Sequence, residues 1–136
     1  MKTLRVGIAS YADMKARTLA IAQGVYKRKR GEPKVWFTSM ESFARVLSDR
    51  NRELLALIAE AQPESLTELE RLSGRRKSNL SRTLRTMERY GLVSLTKGEG
   101  GRLKPRVDYS GIALDVPVVV KAKGDIRRAT SAAPGQ

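Results

Sequence analysis

Leu4, Val6 and Ile8 alternate with Arg5 and Gly7, a period of two that predicts a short strand with one buried face. The period then lengthens. Tyr11, Met14, Thr18, Ile21 and Val25 recur at helical spacing, and Ser10 with Asp13 three residues on has the form of a capping box, so a helix is expected from about 11 to 27. The run Lys27-Arg28-Lys29-Arg30 followed by Gly31-Glu32-Pro33 ends it, and the run reads as a solvated helix end. Lys34 to Thr38 is a second short strand, in which Trp36 and Phe37 read as core or dimer contacts rather than base-stacking platforms. Ser39 is the expected N-cap of a helix carrying Phe43, Val46 and Leu47. These elements form the first part of the chain, residues 1–48.

The second part, residues 49–110, has the densest helical patterning. Leu54, Leu57, Ile58 and Ala61 share one face of a helix that stops before Pro63. Ser65 and Glu68 repeat the capping-box pattern ahead of Leu66, Leu69 and Leu72, and Ser73-Gly74 makes a tight polar turn. A third helix is expected from near Ser78, with Leu80, Leu84 and Met87 stacked on one side, ending at Gly91. Leu92 to Thr96 then alternates as a strand, Gly98 to Gly101 supplies a hairpin turn, and Leu103 to Tyr109 returns, with Pro105 restricting it to an edge or bulge. Three helices followed by a hairpin predict a winged helix-turn-helix, in a chain that is mainly α with a small β component and carries an N-terminal strand-helix-strand extension.

The third part adds Ile112, Leu114, Val116, Val118 and Val120, an alternating run over 111–120 that predicts another strand, with the N-terminal strand or a second subunit as its partner. Residues 121–136 are rich in Gly, Ala, Thr, Ser, Pro and Gln and are expected to be a disordered basic tail.

Charge sharpens this picture. The chain of 136 residues has 27 Lys and Arg against 14 Asp and Glu, a net charge of +13. The excess is concentrated: Arg75, Arg76, Lys77, Arg82, Arg85, Arg89, Lys97, Arg102, Lys104 and Arg106 face only Glu88 and Glu99. Such local excess is the electrostatic footprint of a surface for polyanions. The chain has no Cys and no His, which excludes thiolate and imidazole metal sites, disulfides, and Ser-His-Asp or Cys-His catalysis. Paired carboxylates and a phosphate-binding glycine loop in a strand-then-helix context are also missing, so neither an enzyme nor a cofactor is expected. There is no apolar run of about 18 residues, and Gly7, Ser10 and Asp13 interrupt any signal-like core, so a cytoplasmic protein without membrane contact is expected.

The segment GRRKSNLSRTLRTMERYGLV with its preceding leucines resembles the helix-turn-helix and wing entry of MarR-like winged-helix transcriptional regulators. The resemblance is carried by Leu69, Leu72, Gly74, Ser78, Leu80, Ser81, Arg82, Leu84, Met87, Gly91, Leu92 and Val93 and covers about residues 54–110. Over about 1–110, SYADMKARTLAIAQG and GEPKVWFTSMES are similar to a narrower group of bacterial and archaeal regulators often encoded beside a small toxin and treated as antitoxins. One departure concerns the wing, where Gly101-Arg102-Leu103 stands in place of the family's Asp-x-Arg.

The resemblance implies a third helix in the major groove of double-stranded DNA. On a wheel of about 100° per residue, Ser78, Arg82, Arg85 and Arg89 lie opposite the apolar stripe, with Asn79 and Thr86 on the flank. Ser78, Asn79 and Arg82, near the helix start, are the expected base contacts, Arg82 to guanine O6 and N7 and Asn79 to adenine N6 and N7. Arg75, Arg76, Lys77, Arg85, Thr86 and Arg89 are expected on phosphates, and Lys97, Arg102 and Lys104 on the wing. The bland readings are solvated charges for Arg85 and Arg89 and a capping role for Asn79. The expected function is a sequence-specific transcriptional regulator, a homodimer on an inverted repeat. An autoregulating antitoxin that also binds a toxin protein is compatible with it. The alternative is an RNA-binding protein of the translation apparatus.

Overall fold

Ser10, Ser39, Ser48 and Ser65 each turn a hydroxyl oxygen to the backbone N–H three residues ahead, at 3.0–3.3 Å, and each starts a helix. These are α1 (Tyr11–Ala22), α2 (Met40–Val46), α3 (Asp49–Ala61) and α4 (Leu66–Ser73). The fifth, α5 (Lys77–Tyr90), is started differently: its N-cap, Arg76, makes no side-chain cap bond, and the Glu70 carboxylate of α4 accepts from the Lys77 N–H at 2.8 Å. The computed structural model describes residues 2–27, 31–116 and 118. Arg28 to Arg30 of the basic run, most of the 116–120 stretch and the tail 121–136 lie outside the described residues.

About half of the described residues are helical, and the strands form two small sheets. β1 (Lys2–Ile8) is central in the first, flanked by β2 (Val35–Phe37) and β5 (Tyr109–Asp115), both parallel to it. β3 (Ser94–Lys97) and β4 (Leu103–Arg106) make a separate antiparallel ribbon with Leu95 opposite Pro105. Because that ribbon has only two strands, each is an edge, and Pro105 is accommodated while fully buried.

Period two decides which faces pack. Val6, Val35 and Phe37 are buried, whereas Gly7 and Trp36 point to the opposite side of the sheet. Phe37 stacks on Tyr90 of α5 with centroids 4.2 Å apart and meets Phe43 of α2 edge-on at 5.4 Å. Val6, Val35, Phe37 and Leu47 thus belong to the same buried cluster as Leu54, Leu55, Ile58, Leu66, Leu69, Leu80, Leu84, Met87, Leu92 and Val93. One core runs through both the first 48 residues and the helices that follow.

Several boundaries differ from the sequence expectation. α1 stops at Ala22, because Gly24 takes φ +77° and the N–H groups of Gly24 and Val25 return to Ile21 and Ala20. None of its residues is buried, and Tyr11, Leu19 and Val25 are 74%, 55% and 77% exposed. The inner face of α3 uses Leu55, while Ala61 is exposed. α5 begins at Lys77, one residue early. β4 ends at Arg106, and the next strand begins at Tyr109, ahead of Ile112. That strand finds its partner within the chain: Leu4 pairs with Ile112 and Val6 with Leu114.

Tyr109 anchors β5 through its hydroxyl, which donates to the Leu92 carbonyl at 2.7 Å from a buried position. Burial, and secondarily the Asp108 charge, raise its pKa to about 12. The folded state therefore holds this proton more tightly than the unfolded chain, whose tyrosine titrates near 10. Its stabilisation is complete below about pH 10 and is lost as pH rises towards 12. Tyr109→Phe should cost about 0.5–1.5 kcal/mol at neutral pH. It should also flatten the alkaline fall in stability, read from denaturant melts across that window.

Candidate nucleic-acid interface

The 3.6-residue period of α5 sets its two faces. Leu80, Leu84 and Met87 are 0–1% exposed, and with them inward Ser78, Asn79, Arg82, Arg85 and Arg89 are all exposed. Arg82 and Arg85 have no ion pair or hydrogen bond among the described residues, and Arg89 only touches the Thr86 hydroxyl at 3.3 Å. Thr86 is half-buried on the flank, as its wheel position requires. The first turn of α5 carries no acidic residue, so its positive dipole end stands beside Arg76 and Lys77, both exposed.

The β3–β4 ribbon brings a second set of cations to the same region. Its tip is a short 3₁₀ turn over Glu99–Gly101, with Gly100 and Gly101 at φ +71° and +78°, a backbone that side-chain-bearing residues rarely adopt. Arg102 follows it, exposed, and Lys97 precedes it, also exposed. A cleft of about 570 Å³ lies between the tip and the helices, lined by Ser65, Thr67, Lys77, Gly100, Gly101 and Arg102. It brings Lys77 of α5 and Arg102 of the ribbon to one opening.

Two of the expected cations, Lys104 and Arg75, are engaged with side chains of other elements. Lys104 sits 3.4 Å from the Glu64 carboxylate, which also binds Arg106 at 3.0 Å. Arg106 donates further to the Pro63 and Pro105 carbonyls at 2.6 and 2.7 Å. The pair ties β4 to the corner between α3 and α4. Arg75 is the other. Its guanidinium bonds Asn79 through Nε (3.0 Å) and Nη2 (2.8 Å), Asn51 through Nη1 (3.1 Å) and Thr83 through Nη2 (3.3 Å). Burial, and then the neighbouring charge of Arg50, lower its pKa from the ordinary value.

Glu64 and Asn51 carry no signal in the sequence, and Arg106 stands out there only as one of the ten clustered cations. Their partners lie 24 to 43 residues away, a separation that no periodicity reports. Arg75 carried a local signal, since it directly follows the αL residue Gly74, where the chain reverses between α4 and α5. On the opposite face of the sheet, Arg17 lies over Trp36 at 5.3 Å and Tyr26 at 5.7 Å while binding Glu32 at 2.9 Å, a clasp that holds α1 to the 32–36 segment. Among the described residues no group of Asp and Glu is arranged to hold a metal ion, and no helix is long and apolar enough to cross a membrane.

The HVO_A0114 family model matches residues 46–114, about half of the chain, and the chain belongs to that family. The match runs from Val46, the last residue of α2, to Leu114 in β5 and includes every cation of the interface just described. No curated protein and no solved structure matches the chain.

If Arg106 holds the ribbon against the helical corner, Arg106→Ala should remove three internal hydrogen bonds. Global stability should fall by about 1–3 kcal/mol. Amide exchange over residues 94–106 should rise more than over α5, measured by hydrogen exchange with mass spectrometry.

Proposed function

We propose that the protein is a sequence-specific binder of double-stranded DNA, a transcriptional regulator built on a winged helix-turn-helix. In this reading α3 and α4 are the scaffold, α5 is the recognition helix in the major groove, and the β3–β4 ribbon is the wing. The observation that carries it is the face of α5. Arg82, Arg85 and Arg89 project together from the side opposite a fully buried stripe, without carboxylate partners among the described residues. A merely solvated face of this length ordinarily interleaves opposite charges, and α5 has only Glu88 there.

The roles follow from position. Arg82, within the first turns of α5, reaches base edges, where its fork fits guanine O6 and N7. Ser78 lies beside it. Arg76, Lys77, Arg85 and Arg89 meet phosphates, and Arg102 at the wing tip enters an adjacent minor groove, where narrow A·T tracts attract guanidinium groups. One such helix reads only a few base pairs, so a two-fold pair on an inverted repeat supplies the specificity. The exposed apolar side chains Tyr11 and Leu19 of α1, with Val25 just beyond it, support assembly of that pair. A cytoplasmic location belongs to the same reading.

Duplexes selected from a random pool by the full-length protein supply the test. Log affinity should fall with log salt at a slope of about −0.9 per phosphate neutralised, with about six or more per dimer. Arg85→Ala or Arg89→Ala should weaken all sequences alike and flatten that slope. Arg82→Ala should instead cost about 1–3 kcal/mol on the selected site and much less on scrambled duplex. A salt slope near zero, or a pool that yields no enriched sequence, would end this reading. Sedimentation of the free protein at micromolar concentration should give twice the monomer mass.

A further inference from the structure

A guanidinium can only donate hydrogen bonds, and an amide oxygen can accept two. These two facts decide the orientation of Asn79. Its Oδ1 receives both the Nε–H and an Nη2–H of Arg75, at 3.0 and 2.8 Å, so its acceptor capacity is filled. Its Nδ2 keeps two N–H donors with no partner among the described residues, on an exposed position of α5. Turning the carboxamide over would set N–H groups against N–H groups, so the arrangement is dictated by chemistry.

Arg75 is held in turn. Asn51 accepts from its Nη1 at 3.1 Å and is itself locked, because the Asn51 Nδ2 donates to the Val46 carbonyl at 2.9 Å. The Thr83 hydroxyl lies 3.3 Å from Nη2, and the Ser73 hydroxyl accepts from the Arg75 backbone N–H at 3.1 Å. A chain of polar contacts therefore runs from the end of α2, through the first turn of α3, to the outer surface of α5.

We propose that Arg75 is a positioning residue that turns Asn79 into a donor-only reader of the base edge, so that Asn79 selects a guanine or thymine acceptor and discriminates against adenine. The proposal rests on the DNA-binding reading of α5 given above. Free asparagine pairs best with adenine, accepting from N6 and donating to N7. With Oδ1 committed to Arg75, that pairing would leave the adenine amino group without an acceptor. Guanine presents two acceptors, O6 and N7, and thymine presents O4. This reverses the adenine preference expected for Asn79 from its residue type, and it withdraws Arg75 from the phosphate contacts.

The test compares base preferences selected from a random duplex pool by the full-length wild-type protein, Asn79→Ala and Arg75→Lys. Lysine keeps the charge but lacks the planar fork that covers Asn79 Oδ1. The position whose preference disappears in Asn79→Ala identifies the base that Asn79 reads. In the wild type that base should be guanine or thymine. In Arg75→Lys the preference there should shift towards adenine by about tenfold, while affinity for scrambled duplex stays within about twofold. Adenine at that position in the wild type overturns the proposal without any Arg75 variant, so a poorly folding Arg75→Lys does not shield it. Equal weakening of all sequences by Arg75→Lys, with a flatter salt slope, also overturns it and returns Arg75 to a phosphate. If the wild type enriches no sequence at all, it is the DNA-binding reading that has failed, and the proposal falls with it.

Discussion

Everything on the outer surface of α5 depends on the burial of three side chains on its inner one. Leu80, Leu84 and Met87 are removed from water almost entirely, each contributing about 1.5–3 kcal/mol on burial. A rotation of α5 about its axis large enough to move Arg82 or Arg85 inward would expose that stripe and bury unpaired guanidinium groups, both strongly unfavourable. The basic face is therefore held by the core rather than by contacts of its own. Its arginines can stay unpaired because the helix beneath them cannot turn. The same core reaches past Gly91 to bury Leu92 and Val93, which sets the direction in which the ribbon leaves the helix.

Polar contacts then do what the apolar core cannot, which is to fix particular atoms. Glu64 accepts from both Lys104 and Arg106, and Arg106 adds two carbonyls at the α3–α4 corner. These side chains are partly exposed, so the ion pairs themselves add little stability. Their geometric effect is larger, since they hold a two-stranded ribbon that would be marginal alone. Arg75 plays the corresponding part at the head of α5, where no side-chain cap is present.

Much of this was legible in the sequence because it is local. The serine caps at Ser10, Ser39 and Ser65, the stripe of α5, the turns at Gly74 and Gly91, and the strands around Val6 and Val35 all appear within a few residues of their cause, whereas the Ser48 cap of α3 was not read. The end of α1 was missed, although Gly24 signalled it, because Val25 continues the helical spacing one step beyond the true stop. Leu55 was passed over for Ala61, since only the tilt of α3 against its neighbours decides which flank is inward. The basic residues around α5 are visible in the sequence as a group. Which of them are free and which are tied down could not be read, because Asn51 on α3 and Pro63 and Glu64 at its C-terminal corner lie far in sequence from Arg75, Lys104 and Arg106.

The pairing of β1 with β5 bears on the order in which the molecule can assemble. Lys2 lies beside Tyr109, so this edge of the sheet joins two segments separated by nearly the whole described chain. Loop closure of that size is entropically unfavourable until the intervening residues have condensed. The helices and the ribbon, whose contacts are mostly short in sequence, can form first. β1, made before β5, then has to wait for that strand before its backbone groups on that side are satisfied. The protein acquires α5 early and its three-stranded sheet late, so the final step of folding lies on the side of the molecule where α1 remains exposed.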